Sequence, residues 1–268
     1  MIKTIRLEDY VFKARSMGRY SITLKELREY FDASEKALQQ SLFRLKVKKT
    51  IVQLRQGFYI IIPPEYSAKG MLPIYLFIDD MMKYLGRDYY LGLFTAASLH
   101  GASHQQPMEY QVIINSPPLR RIEKNNIQIS FSVNNNFHSK DIVKKKSDAG
   151  YVNVSSPELT MLDLIFFNKN YGGITRTLAI IDELQEAVNK KNLTQTAKSY
   201  KSTPAVQRLG FLMDIYFKNE NLSDALFKAL NTDKITYIEL CSGGKDICAK
   251  NTKWKVIQNL ELEGLYDT

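Results

Sequence analysis

Two β-branched and aromatic runs, Ile51-Val52-Gln53-Leu54 and Phe58-Tyr59-Ile60-Ile61-Ile62, flank Arg55-Gln56-Gly57 and end at Pro63-Pro64. Such runs around a glycine-containing turn predict a β-hairpin, and the paired prolines stop its second strand and mark a domain edge. The sequence before the hairpin is helical in pattern. Leu7, Val11 and Ala14 recur at i, i+4 and i+7, which predicts an amphipathic helix over 7–17 that ends at Gly18. Thr23 is placed to cap a second helix that carries Leu24, Leu27 and Phe31 inward. Asp32-Ala33-Ser34 then forms a tight turn, with Ser34 accepting from the free N–H groups of a third helix. That helix, over 35–48, sets Leu38, Leu42 and Leu45 on one face and presents Lys36, Gln39, Gln40, Phe43, Arg44 and Lys46 on the others.

Helices joined by a short turn and followed by a hairpin predict a winged helix-turn-helix, whose third helix suits a DNA major groove. Gln pairs bidentately with adenine, whereas Lys and Arg reach guanine or phosphate. The expected DNA contacts are therefore Lys36, Gln39, Gln40, Arg44 and Lys46, with Arg55 at the tip of the wing. Charge agrees with this reading. Residues 1–66 hold 13 Lys and Arg against 7 Asp and Glu, and the other 202 residues hold 24 against 21. Six of the nine net positive charges thus lie in the first quarter of the chain, where they favour encounter with a polyanion.

At roughly 150 residues per domain, a chain of 268 residues accommodates two domains, and the prolines divide it into 1–66 and 67–268. The second part reads as mixed α/β, so the fold class is α+β. Helices are expected over 74–85, 89–100, 174–189, 204–217 and 223–230, and another opens at Ser156-Pro157-Glu158, a capping serine followed by proline at the first helical position. Strands are expected over 110–115, 127–133, 150–154, 235–241 and 254–260. Lys144-Lys145-Lys146 reads as a solvated loop.

Little in the sequence points to catalysis or metal binding. His100 and His104 have a ligand-like spacing, but Gly101 breaks the helix between them and no peptidase Glu accompanies them. Cys241 and Cys248 match no zinc or redox spacing and read as free thiols of a reducing compartment. Ser242-Gly243-Gly244-Lys245-Asp246 lacks P-loop spacing and reads as a turn. The pairs Asp79-Asp80 and Asp182-Glu183 lie on amphipathic helices, where solvated carboxylates are common. No metal, cofactor or catalytic group is expected. No apolar run reaches the roughly 18 residues of a membrane span, and the first residues lack a signal-peptide core. The expectation is a cytoplasmic protein without a membrane partner.

Three blocks carry a resemblance. They are Tyr90-Leu91-Gly92-Leu93-Phe94-Thr95-Ala96-Ala97-Ser98-Leu99-His100-Gly101, Val154-Ser155-Ser156-Pro157-Glu158-Leu159-Thr160-Met161-Leu162-Asp163-Leu164 and Ala205-Val206-Gln207-Arg208-Leu209-Gly210-Phe211-Leu212. In order and spacing the chain resembles the AbiEi-type antitoxins of type IV abortive-infection toxin–antitoxin systems. The resemblance implies an autorepressor whose winged helix binds repeats in its own promoter. It also implies a C-terminal domain that counters a nucleotidyltransferase-like toxin in phage defence, without forming a stable complex. It further implies a monomer in solution with more than one copy per operator. It offers no catalytic motif and makes Arg120, Arg121, Lys144, Lys145 and Lys146 candidates for the antitoxin surface. Two other readings remain open from the residues: a ligand-responsive winged-helix regulator, and a C-terminal nucleic-acid-processing enzyme.

Overall fold

The computed structural model describes residues 6–68, 72–102, 109–124, 126–243 and 248–262. The first helix, α1 (Leu7–Ser16), buries Leu7, Tyr10, Val11 and Ala14. A short strand, β1 (Ser21–Thr23), runs directly into α2 (Leu24–Tyr30). Thr23 Oγ1 accepts from the Glu26 N–H at 3.1 Å while the Glu26 carboxylate accepts from the Thr23 N–H at 3.4 Å. This reciprocal pair satisfies donors that a bare helix end leaves unmet. Ser34 caps α3 (Glu35–Val47) in the same way, accepting from the Ala37 N–H.

The hairpin follows as β2 (Ile51–Arg55) and β3 (Phe58–Ile61). Gly57 has φ +74° and lets the chain reverse, so Arg55 closes its strand and the turn narrows to Gln56-Gly57. The three strands pair antiparallel in the order β1-β3-β2. Leu27, Leu38, Leu42 and Leu45 pack with Ile22, Ile51 and Ile61 in one core, against which Leu24 and Phe31 are partly buried. Strand β1 was not expected, because three residues are too few to show a period and only pairing with β3 defines them.

Beyond the hairpin come α4 (Pro64–Ser67), α5 (Ile78–Leu85) and β4 (Tyr89–Leu91), then α6 (Leu93–Leu99). The helix expected over 89–100 is thus a strand followed by a shorter helix. Tyr89, Tyr90 and Leu91 are all buried, and a short strand covered on both faces shows no alternation to separate it from a buried helix. Next are β5 (Tyr110–Ile114), β6 (Ile122–Lys124), β7 (Ile127–Val133), β8 (Ile142–Ser147) and β9 (Gly150–Ser155). Lys144-Lys145-Lys146 therefore lies in a strand, not the expected loop. β8 is an edge strand, and lysines suit an edge because they discourage pairing with other chains.

The remaining helices are α7 (Pro157–Phe166), α8 (Gly173–Leu184), α9 (Lys190–Ser199), α10 (Thr203–Phe211) and α11 (Glu220–Phe227). Three short strands follow, β10 (Ile238–Glu239), β11 (Ala249–Asn251) and β12 (Val256–Gln258). Helix α9 carries mostly polar residues and escaped the sequence reading. Among the described residues, no helix is long and apolar enough to cross a membrane.

The chain divides into two compact units. The first comprises residues 1–90, 108–133 and 144–153, and in it β7 pairs antiparallel with β6 and parallel with β5. The second comprises residues 91–107, 134–143 and 154–268, and in it Leu91 pairs parallel with Val154. Its terminal strands order as β10-β12-β11. Trp254, fully buried, lies against α10 at Gly210, where a Cβ would stand 2.0 Å from the indole ring. The Trp254 indole N–H donates to Asp214 at 2.8 Å, and the Gln207 amide donates to the Trp254 carbonyl at 2.9 Å.

Candidate nucleic-acid interface

Helix α3 is fixed from below and from its start. Below, Leu38, Leu42 and Leu45 are buried. At its start, the Arg28 guanidinium of α2 grips Glu35 with two hydrogen bonds, at 2.8 and 3.0 Å. Glu35 also accepts from the Gln39 amide at 3.0 Å. These donors favour the charged carboxylate, and Arg28 first, then Gln39, hold the Glu35 pKa down at about 2. The clamp ties the start of α3 to α2 and commits one amide proton of Gln39. Sequence reasoning missed Arg28, because a pairing seven residues apart across a turn leaves no periodic trace.

The outward face of α3 is open. Lys36, Gln39, Gln40, Arg44 and Lys46 are all exposed, as expected. Phe43 and Val47 are 62% and 63% exposed on the same helix. At the C-terminal end of the helix, Lys48 pairs with Glu8 of α1 at 2.6 Å. Lys36, Arg44 and Lys46 make no ion pair among the described residues.

Arg55 is differently engaged. Its guanidinium donates to the Arg120 carbonyl and lies over the Phe131 ring, 5.5 Å from its centroid. Burial pushes its pKa down. Close by, the Tyr84 hydroxyl donates to the Gln56 carbonyl at 2.9 Å, so both residues at the end of the hairpin are tied down within the first unit. A groove along β2 is lined by Lys46, Gln53, Arg55, Gln56 and Lys124 and contains no carboxylate. Lys46 and Lys124 are far apart in sequence, and only the fold brings them together.

The candidate antitoxin residues also lie in the first unit. The Arg121 side chain pairs with Glu109 at 3.1 Å and Glu123 at 3.0 Å and donates to Gln128 at 2.9 Å. Lys144 and Lys146 are exposed on β8, whereas Lys145 is half-buried and its pKa is lowered by burial.

Other groups singled out in the sequence serve local structure. Asp79 pairs with Lys83 at 2.6 Å and accepts from the Tyr89 hydroxyl at 3.0 Å, while Asp80 accepts from Ser21 at 2.6 Å. Asp182 accepts from Gln185, Glu183 is exposed, and His100 Nε2 hydrogen-bonds to the Ser155 carbonyl at 2.7 Å. His104 and the segment 244–247 lie outside the described residues. Neither Cys241 nor Cys248 forms a disulfide, and among the described residues no three His, Cys, Asp or Glu side chains cluster as a metal site would require.

Residues 90–215 match the family model of the AbiEi antitoxin C-terminal domain. No curated protein matches the chain. Among solved structures, the RV2827C protein from Mycobacterium tuberculosis is similar, with a TM-score of 0.63 at 14% identity over 92% of this chain and 89% of that one. At this identity the likeness speaks to fold alone. An antigenic nucleotidyltransferase-like protein from Paracoccidioides brasiliensis aligns over 56% of this chain and 88% of its own at 11% identity. Its TM-score of 0.35 is too low to indicate a shared fold.

Proposed function

This chain carries an AbiEi antitoxin C-terminal domain over residues 90–215, and from that premise we propose that it is a type IV antitoxin that represses its own promoter. The family match is the observation that carries the antitoxin half. It supports a role in opposing a nucleotidyltransferase-like toxin without a stable complex, and so in phage defence by abortive infection.

The DNA-binding half rests on the order of elements over residues 7–61. Two capped helices joined by a tight turn, a β1-β3-β2 sheet and a hairpin after α3 support a winged helix-turn-helix, which we assign to residues 1–66. The antitoxin part would then span 67–268. Promoter contact is assigned to Lys36, Gln39, Gln40, Arg44 and Lys46. Arg55 is assigned to holding the hairpin, because its guanidinium is already engaged on Arg120 and Phe131. For the antitoxin surface, Arg120, Lys144 and Lys146 are the favoured residues, since they are exposed, while Arg121 is already paired and Lys145 is half-buried. We expect a monomer in solution and more than one copy per operator.

Footprinting the DNA upstream of the protein's own gene tests repression, and a salt-sensitive footprint over repeated sequence is expected. Co-expression with a nucleotidyltransferase-like toxin tests neutralisation. Growth restored by the chain, and lost on joint Lys144→Glu and Lys146→Glu substitution, is the expected result. Growth arrest despite soluble chain would overturn the antitoxin reading.

A further inference from the structure

The exposed face of α3 is ordered by chemistry. At about 100° per residue, Lys36, Gln40, Phe43 and Val47 fall within a sector of about 60° directly opposite the buried leucines. Gln39 and Lys46 flank that sector on one side and Arg44 on the other. The most outward line of the helix therefore carries a lysine at its N-terminal end, then an amide and two large apolar side chains, and cations border it on both sides. Phe43 is 62% exposed and Val47 63%, although nothing in the core requires apolar residues there.

A major groove has the complementary layout. Its floor presents base edges, including the thymine methyl, and its walls are phosphates. A helix lying in the groove points its outermost line at the floor and its flanks at the walls.

Resting on the DNA-binding reading above, we propose that Phe43 is a specificity-determining residue that packs on a thymine C5-methyl group. Gln40, one turn earlier, pairs with a nearby adenine, and Arg44 and Lys46 hold phosphates on opposite walls. The operator half-site then contains an A·T element at the position facing Phe43. Charge complementarity selects duplex DNA as the occupant of this face. No carboxylate lies within the stripe, and Glu35 at its edge is neutralised by Arg28.

The test replaces thymines one at a time by deoxyuridine in the duplex upstream of the gene, removing only the methyl group. Affinity is then measured for the full chain, F43A and Q40A. Losing one buried methyl corresponds to about a three- to fivefold change in affinity. Wild type should weaken by about that factor at one or two positions in each half-site. F43A should bind the thymine and deoxyuridine duplexes alike, and Q40A should keep the methyl sensitivity. Because Phe43 is largely exposed, F43A should unfold at the wild-type temperature, which separates lost reading from lost folding.

A footprint without methyl sensitivity, or sensitivity that survives in F43A, overturns this assignment and leaves the repressor reading intact. No preference over random duplex overturns both. A change in the self-association of DNA-free protein on F43A substitution would make the stripe an interface between copies, and also overturns the assignment.

Discussion

Replacing Gly210 by Ala sets two effects of opposite sign against each other. Within a helix the exchange ordinarily stabilises by about 1 kcal/mol, since glycine is the poorer helix former. In α10, however, the new Cβ would stand 2.0, 2.3 and 2.6 Å from three carbons of the Trp254 ring. Ordinary carbon contacts are about 3.5–4.0 Å, so the ring must move by more than an ångström. Trp254 is fully buried, and overpacking of this kind costs about 1–3 kcal/mol or more. Displacement also pulls the indole N–H from Asp214, now 2.8 Å away, and an unmet buried donor adds about 1–3 kcal/mol. The steric and polar losses exceed the helical gain, and G210A should destabilise the second unit by about 1–5 kcal/mol. Trp254 is the sole tryptophan, so its fluorescence in a urea titration reports the transition directly. The midpoint should fall, and native emission should shift to the red. Followed by far-UV circular dichroism, since W254F removes the fluorophore, the cost of G210A should be smaller in the W254F background, because neighbouring substitutions do not add. A G210A variant as stable as wild type, with unchanged emission, would refute the packing argument.

Three further outcomes are expected around α3. The Glu35 carboxyl, held at about 2, should titrate there by NMR and rise toward the ordinary carboxylate range in R28A. Its folded pKa lies below its unfolded value, so its contribution to stability is complete above about pH 4.5 and fades as the pH falls toward 2. Arg44→Ala and Lys46→Ala should each flatten the dependence of log affinity on log salt by about 0.9 if each neutralises one phosphate; unchanged slopes would remove them from the backbone. Arg55→Ala should lower stability by about 1–2 kcal/mol through the lost Arg120 and Phe131 contacts. It should leave the salt slope as it was, and a flattened slope would return Arg55 to the DNA.

The parts of this fold legible in the sequence are those set by near neighbours. Thr23 and Ser34 announce their helices because a cap acts within three residues, and Leu38, Leu42 and Leu45 mark a buried face because helical period is local. The outward face of α3 follows by subtraction. Strand β1 and the strand at Tyr89–Leu91 were not legible, since each is defined by a partner distant in the chain; β8 lies beside its neighbour β9 in sequence, but three successive lysines hide its alternation. Helix α9 was missed for want of an apolar stripe. The same divide runs through the candidate site. The exposed cations were visible, but the engagement of Arg55 on Arg120 and Phe131 and the approach of Lys124 to Lys46 belong to tertiary structure.

The Arg28–Glu35 clamp has a consequence for anyone titrating this protein with salt. Both side chains are more than half exposed, so the ions that compete for a DNA phosphate also screen the pair that ties α3 to α2. Ionic strength then acts both on the bound complex and on the readiness of the free protein to bind. An apparent count of phosphates taken from wild-type salt dependence would include this second contribution. Comparing the slopes of R28A and E35Q, which both lack the ion pair but change the net charge in opposite directions, separates it from the loss of a charge.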